Sequence, residues 1–324
     1  MCYNFLEESV IVKKLFIILS FVFFASFLSG CDSTTSYKYA DSEKYLVGDS
    51  TFDSVDVIDI SWISGNVHID VTDDEKGNFY EKYKFKLEDK KRIHFYKNDN
   101  TLYIKYAASG LHTWKPMAKD LYLNVSKSDL VSKKYIINTV SANVYINNQN
   151  ISTLNANSVS GDIALSTSTI NNYVEIESVS GGIVFNNQSI GNYAKMKTVS
   201  GNIVVNSKTV INKLDTSTTS GEIALHTTLI KNLDIDSVSG DIIYTCDNFE
   251  IESKADINTV SGDIDLFFRG DISLKIDFDT TSGDFNSFFA YKNESNYYIY
   301  GDGKSNFSIE TVSGDVIIKE LIVS

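Results

Sequence analysis

At 324 residues with 43% hydrophobic content, the chain is long enough to bury a sizeable core. Its single proline, Pro116, and its wealth of Ser, Thr, Asn, Ile, Val, Tyr and Phe favour strands over helices and over disordered tails. A formal net charge of −13 gives no electrostatic drive toward a phosphate backbone, which excludes nucleic acid as a partner and a basic surface as a membrane contact.

Lys13 and Lys14 precede an apolar run over 15–28. That run is shorter than the roughly 20 residues a spanning helix needs, and its length is that of a signal-peptide core. It closes on Leu28-Ser29-Gly30-Cys31, which resembles the lipobox of bacterial lipoproteins. The resemblance implies a signal peptide over 1–30, lipid attachment at Cys31 and a membrane anchor. With Cys31 acylated and Cys2 removed, Cys246 is left without a disulfide partner. Residues 31–50 are polar and aperiodic, and they read as a flexible tether.

From there one element recurs: Ser or Thr, usually Val, then Ser, Gly, an acidic or amide residue, and Ile. It is centred on Gly161, Gly181, Gly201, Gly221, Gly240, Gly262, Gly283 and Gly314, with earlier copies at Gly65 and, with alanine for glycine, at Ala142. Successive spacings from Ala142 to Gly283 are 19, 20, 20, 20, 19, 22 and 21 residues. Apolar residues alternate on both sides of the step, as in Leu233-Asp234-Ile235-Asp236 and Ile163-Ala164-Leu165, so each repeat is two strands around a corner. Glycine is expected at the corner for its freedom to take a positive φ, and the Asx side chain for its bonds to nearby amides. The Val before each Ser falls on the outward parity, and a bulge would be needed to turn it inward.

One repeat buries too few aliphatics to offset the entropy of ordering its chain, whereas stacked repeats share a continuous core. The expected fold is therefore all-β, a single parallel β-helix of about 20-residue coils, right-handed as parallel crossovers are. It occupies 51–324: irregular first coils and a cap over 51–134, then regular repeats over 135–324. An insertion near 286–306 carries Phe288, Phe289, Tyr291, Tyr297, Tyr298 and Tyr300.

The lipobox, the strand Asp120-Leu121-Tyr122-Leu123-Asn124-Val125, the Ser-Gly-Asp-Ile repeats and the close Thr311-Val312-Ser313-Gly314-Asp315-Val316 together resemble the bacterial putative-adhesin family of β-strand-repeat proteins. The resemblance spans roughly 50–324. It implies an envelope-associated protein of unknown function, without catalytic residues to carry over. Ser126 stands where that family often has proline, a departure that touches a turn and no chemistry.

Stacking places Asp241, Asp263, Asp284 and Asp315 in one column, read as turn caps, with calcium as the competing reading. The serines from Ser141 to Ser313 form a second column. Such regularity argues for structure over catalysis, because a nucleophile needs one uniquely placed base. His68, His94, His112 and His226 are scattered without metal spacing, so no metal and no cofactor is expected. Arg269-Gly270-Asp271 reads as an ordinary turn, Gly303-Lys304-Ser305 fails as a phosphate loop, and Cys246 reads as a core filler.

The aromatics of the insertion are candidates for sealing the solenoid end or for stacking on a ligand. The expected function is a non-enzymatic envelope lipoprotein displaying a β-helical surface to a glycan, peptide or protein. A stress sensor binding peptides or a membrane partner is the second reading. A polysaccharide-acting enzyme is disfavoured, because only Arg92 and Arg269 could supply guanidinium groups for a uronate.

Overall fold

A computed structural model describes residues 38–111, 117–130, 132–167, 169–187, 190–248, 252–294 and 297–321. The described chain is all-β, with strands and three short 3-10 turns and no α-helix. Through the repeats the strands pair in parallel, residue on equivalent residue. Ile163 lies between Val144 and Ile183, and the row continues through Ile203, Ile223 and Ile242. Before the corner, Leu154, Val174, Ala194, Leu214 and Leu233 make the matching row. Both rows are buried in one core, so each rung contributes to an approach wall before the corner and an exit wall after it.

The corner glycines have a different cause from the one expected. Of the ten corner residues only Gly65 has a positive φ, at 105°. A Cβ added at Gly161, Gly221 or Gly240 would instead lie 1.8–1.9 Å from the carbonyl oxygen of the rung beneath. The residue is fixed by the approach of one backbone to the next, not by its own conformation. Alanine is accepted at Ala142 because strands Val57–Thr72 and Lys133–Asn147 run straight through this step, with Ala142 opposite Gly65.

Two hydroxyl columns flank the corner. The outer one is the predicted serine column: Ser160, Ser239 and Ser282 donate to the carbonyls of Val140, Thr219 and Val312 on neighbouring rungs. A second column, three residues before each corner glycine from Gly161 on, is buried at all but the half-buried Thr280. Its oxygens accept the corner N–H, from Gly161 to Ser158 (2.8 Å), Gly221 to Thr218 (3.0 Å) and Gly314 to Thr311 (2.8 Å). Thr218→Val keeps the shape and orphans a buried donor, so a loss of about 1–3 kcal/mol in denaturant unfolding is expected, against under about 1 kcal/mol for Ser220→Ala. The Val before each serine stays outward and half-buried, as at Val159 and Val238, and no bulge turns it in.

Rungs do not follow chain order at either end. Strand Val57–Thr72 lies between Lys133–Asn147 on one side and, on the other, Thr101–Lys105 and Asp120–Ser126. Beyond these, His94–Asn98, Leu46–Val47, Gly77–Lys82 and Ser50–Phe52 pair antiparallel as short closing strands. Short edges of this kind resist pairing with another chain. The tether expected over 31–50 is thereby corrected at its far end. Tyr39 donates from its N–H to Ser109 Oγ (3.2 Å) and from its hydroxyl to the Ala107 carbonyl (3.1 Å), so the folded body has begun by that residue.

At the other end the last repeat in sequence is the penultimate rung. Strand Ser305–Thr311 pairs with Lys254–Asn258 on one side and Leu274–Thr280 on the other. Val316–Glu320 likewise lies between Ile264–Phe268 and Phe285–Ser287. The Gly283 rung is terminal, and from it Tyr297–Tyr300 returns antiparallel on Leu274–Thr280 before the chain re-enters the stack. The expected insertion is thus the hairpin that makes this return.

Candidate functional site

Outward side chains of the two walls differ in kind. On the approach wall the row Asp215, Asp234, Asp256, Ser308, Asp277 runs beside Lys213, Asn232, Lys254, Asn306, Lys275. These rows line an open groove of about 490 Å³ with Tyr297 at one end, whose ring carries the Lys275 ammonium 3.7 Å from its centroid. Burial and the neighbouring Asp236, Asp215 and Asp256 push the Asp234 carboxyl up to about 6. Charge is unevenly spread along the chain: residues 38–134 carry 16 acidic and 16 basic side chains, and 135–324 carry 23 and 11. The distal half therefore holds nearly all the net negative charge.

The exit wall presents an apolar stripe instead. Its outward row reads Tyr80, Tyr122, His68, Tyr145, Ala164, Val184, Val204, Ala224 and Ile243, one residue per strand, all half-buried except Ala224, which is buried. The first four rings stack nearly parallel, with centroids 5.0, 4.7 and 5.2 Å apart, and Lys82 lies over Tyr122. Asp265, paired with Lys319 at 3.2 Å, ends the stripe. Nine strands at about 4.8 Å make it about 38 Å long. One flank is uncharged over Asn147, Ser166, Asn186, Asn206, His226 and Thr245.

The other flank is the corner Asx column, and its carboxylates cap turns as expected. Asp263 N–H donates to Asp241 (3.0 Å), Asp315 N–H to Asp263 (2.9 Å) and Asp284 N–H to Asp315 (2.8 Å). The column is real, but its order is 241, 263, 315, 284, a consequence of the re-entrant last repeat. Among the described residues no group of His, Cys, Asp and Glu is gathered as a metal ion would require.

The six aromatics of the insertion collect at the distal end. Phe285 stacks on Tyr298 with centroids 3.9 Å apart, Tyr291 packs edge-on to Tyr298, and Phe289 edge-on to the buried Tyr300. Phe289 and Tyr300 pack against the terminal rung, with Tyr297 lying at the groove end. Phe288, 75% exposed, and Tyr291, 43% exposed, reach solvent.

Of the remaining candidates, Cys246 is buried, its thiol pushed up to about 11 by burial. Arg269 pairs with Asp247 (3.1 Å) across one rung, and Gly270 turns at φ 70°. His94 is buried and its Nδ1 meets the Arg92 carbonyl, while His226 Nδ1 meets Thr245 Oγ1. The signal, the lipobox with Cys31, and His112 lie outside the described residues.

Sequence reasoning missed the apolar stripe, although a signal was present. Ile-Ala-Leu, Ile-Val-Phe, Ile-Val-Val, Ile-Ala-Leu and Ile-Ile-Tyr follow five successive corners, and their middle residue breaks the polar alternation of a solvated face. Three of the four rings, Tyr80, Tyr122 and His68, could not be assigned to it, since they come from strands that pair out of chain order.

The Toastrack DUF4097 pattern matches residues 118–189 and 186–319. The chain belongs to this family. Among curated proteins none matches it. Solved structures similar to this Toastrack chain include one named a putative lipid binding protein from Parabacteroides distasonis, 14% identical, covering 84% of this chain and 96% of the other, with a TM-score of 0.47. One named a putative adhesin from Bacteroides fragilis is 13% identical over 86% and 98%, with a TM-score of 0.34. One named a putative cell adhesion protein from Clostridium sporogenes is 14% identical over 86% and 100%, with a TM-score of 0.22.

Proposed function

We propose that this Toastrack protein is a non-enzymatic envelope lipoprotein, held to a membrane through acylated Cys31, whose solenoid presents the exit wall as a binding surface. The observation that carries this reading is the unbroken apolar stripe from Tyr80 to Ile243 on a molecule whose other wall is charged. A contiguous apolar face on a soluble body marks a site of contact. Nothing in that face supplies a nucleophile with its base. The coil is taken as right-handed, the hand of parallel crossovers.

The test has two arms. Metabolic labelling with a palmitate analogue should mark the wild-type chain and leave Cys31→Ser unmarked; an unlabelled wild type would remove the anchor. In the second arm the full chain is probed on glycan, peptide and self-protein arrays, with Val204→Lys as control. Binding to any array that Val204→Lys weakens at least tenfold supports the stripe as the contact face, and binding unchanged by it refutes that assignment.

A further inference from the structure

The exit wall has a shape that selects among partners. Its stripe is graded: bulky rings at one end, Tyr80, Tyr122, His68 and Tyr145, and small or branched aliphatics at the other, Val184, Val204, Ala224 and Ile243, with Ala164 at the middle. We propose, building on the reading of this wall as a contact face, that its partner is a second copy of the chain, packed face to face and antiparallel about a twofold axis through Ala164.

Three features converge on that occupant. The first is fit of size to size. A twofold axis at Ala164 sets Tyr145 against Val184, His68 against Val204, Tyr122 against Ala224 and Tyr80 against Ile243, ring on aliphatic at these four rungs, with Ala164 on its own copy at the axis. A parallel pairing would set ring on ring and leave gaps between the small residues, and packing penalises both. The second is area: about 38 Å by roughly 20 Å, three side-chain rows wide, gives about 800 Å² per copy, the size of a standard interface half. The third is charge. Antiparallel copies set their acidic ends, residues 236–324 with 17 acidic and 6 basic side chains, at opposite ends of the pair, where parallel copies would superpose them. On this flank Ser166 meets its own copy and Asn147 meets Asn186, while Asn206, His226 and Thr245 fall opposite Asp70, Asn124 and Asn78, a polar rim in which Asp70 is the one charge each copy brings. At the opposite rim Asp162 meets its own copy, so salt should tighten the pair by screening, whereas salt weakens the capture of a cationic ligand.

The proposal is tested on the full chain carrying Cys2→Ser and Cys31→Ser, in which the one remaining cysteine, Cys246, is buried. Sedimentation equilibrium should show a concentration-dependent dimer whose dissociation constant falls as salt rises from 50 to 500 mM. Val184→Lys and Val204→Lys should each weaken it at least tenfold. A short bismaleimide should couple Ala164→Cys to itself and Tyr80→Cys to Ile243→Cys in mixed samples, but not Tyr80→Cys to itself. Self-coupling of Tyr80→Cys would overturn the antiparallel geometry. A monomer at all concentrations up to about 0.5 mM would overturn self-association. If that monomer still bound a glycan, lipid vesicle or peptide in a manner lost with Val204→Lys, the contact-face reading would stand and only the choice of a second copy would fall.

Discussion

Glu81→Gln is expected to cost about 3–5 kcal/mol, because it strands a buried ammonium without its counter-ion. Lys119 is fully buried; its ammonium reaches Glu81 (2.5 Å) and the Lys91 carbonyl (2.8 Å) and lies over the rings of Trp62 and Tyr106. The group joins the closing antiparallel strands to the first rungs, since Trp62 Nε1 donates to the Lys119 carbonyl (2.9 Å). Burial lowers the Lys119 amine to about 8, against the pull of Glu81.

The unfolded chain, with an ordinary lysine near 10.4, holds more protons than the folded one between about pH 8 and that value. Stability from this group therefore rises with pH across that window and is flat below it. Without the Glu81 carboxylate the amine falls further, so the rise in Glu81→Gln should begin at a lower pH. Thermal and urea unfolding between pH 6 and 10 checks both statements. The double variant Glu81→Leu with Lys119→Met should regain most of the loss, and a double variant as unstable as Glu81→Gln alone would refute the ion-pair account.

The second large effect is steric. Gly221→Ala would bring a Cβ 1.8 Å from the Gly201 carbonyl oxygen and 2.5 Å from its carbon, both backbone atoms with rungs stacked on either side. Neither can retreat without prising the stack apart, so a loss of about 3 kcal/mol or more, or failure to fold, is expected. Ala142→Gly should instead cost no more than about 1 kcal/mol, since that corner is extended. Circular dichroism melts of the two variants separate the reading from a conformational one. A conformational requirement for positive φ would make Gly270→Ala, at φ 70° with open space around its Cβ position, the worse of the two glycine substitutions.

Much of this architecture could be read from residues alone. The 20-residue spacing of Gly161 to Gly221, the alternation of Ile163 and Leu165 with outward neighbours, and the Asx column all survive in the structure. The rung order did not follow, because Thr-Val-Ser-Gly-Asp at 311–315 and Thr-Thr-Ser-Gly-Asp at 280–284 offer the same corner chemistry to the rung of Gly262. Which one stacks there is decided by the return hairpin, whose pairing is not periodic. The buried hydroxyls at Ser158, Thr198 and Thr218 escaped for another reason: a Ser or Thr on the inward parity reads as an interruption of the apolar pattern until its N–H donor is in view. The insertion aromatics lie at the distal end, and the exit-wall row was lost because Tyr80, Tyr122 and His68 sit on the irregular first strands, whose pairing does not follow chain order.

The re-entrant last repeat sets a condition on biosynthesis. Strands 254–258 and 274–280, made earlier, are joined in the finished molecule only through strand 305–311 between them, so the tip of the stack cannot assume its final form while that segment is still emerging. The distal rungs must therefore close after the residues up to 311 have been made. Termination before residue 305 would then yield a protein whose proximal coils are sound and whose distal plug is absent, exposing full-width strand edges to any neighbour.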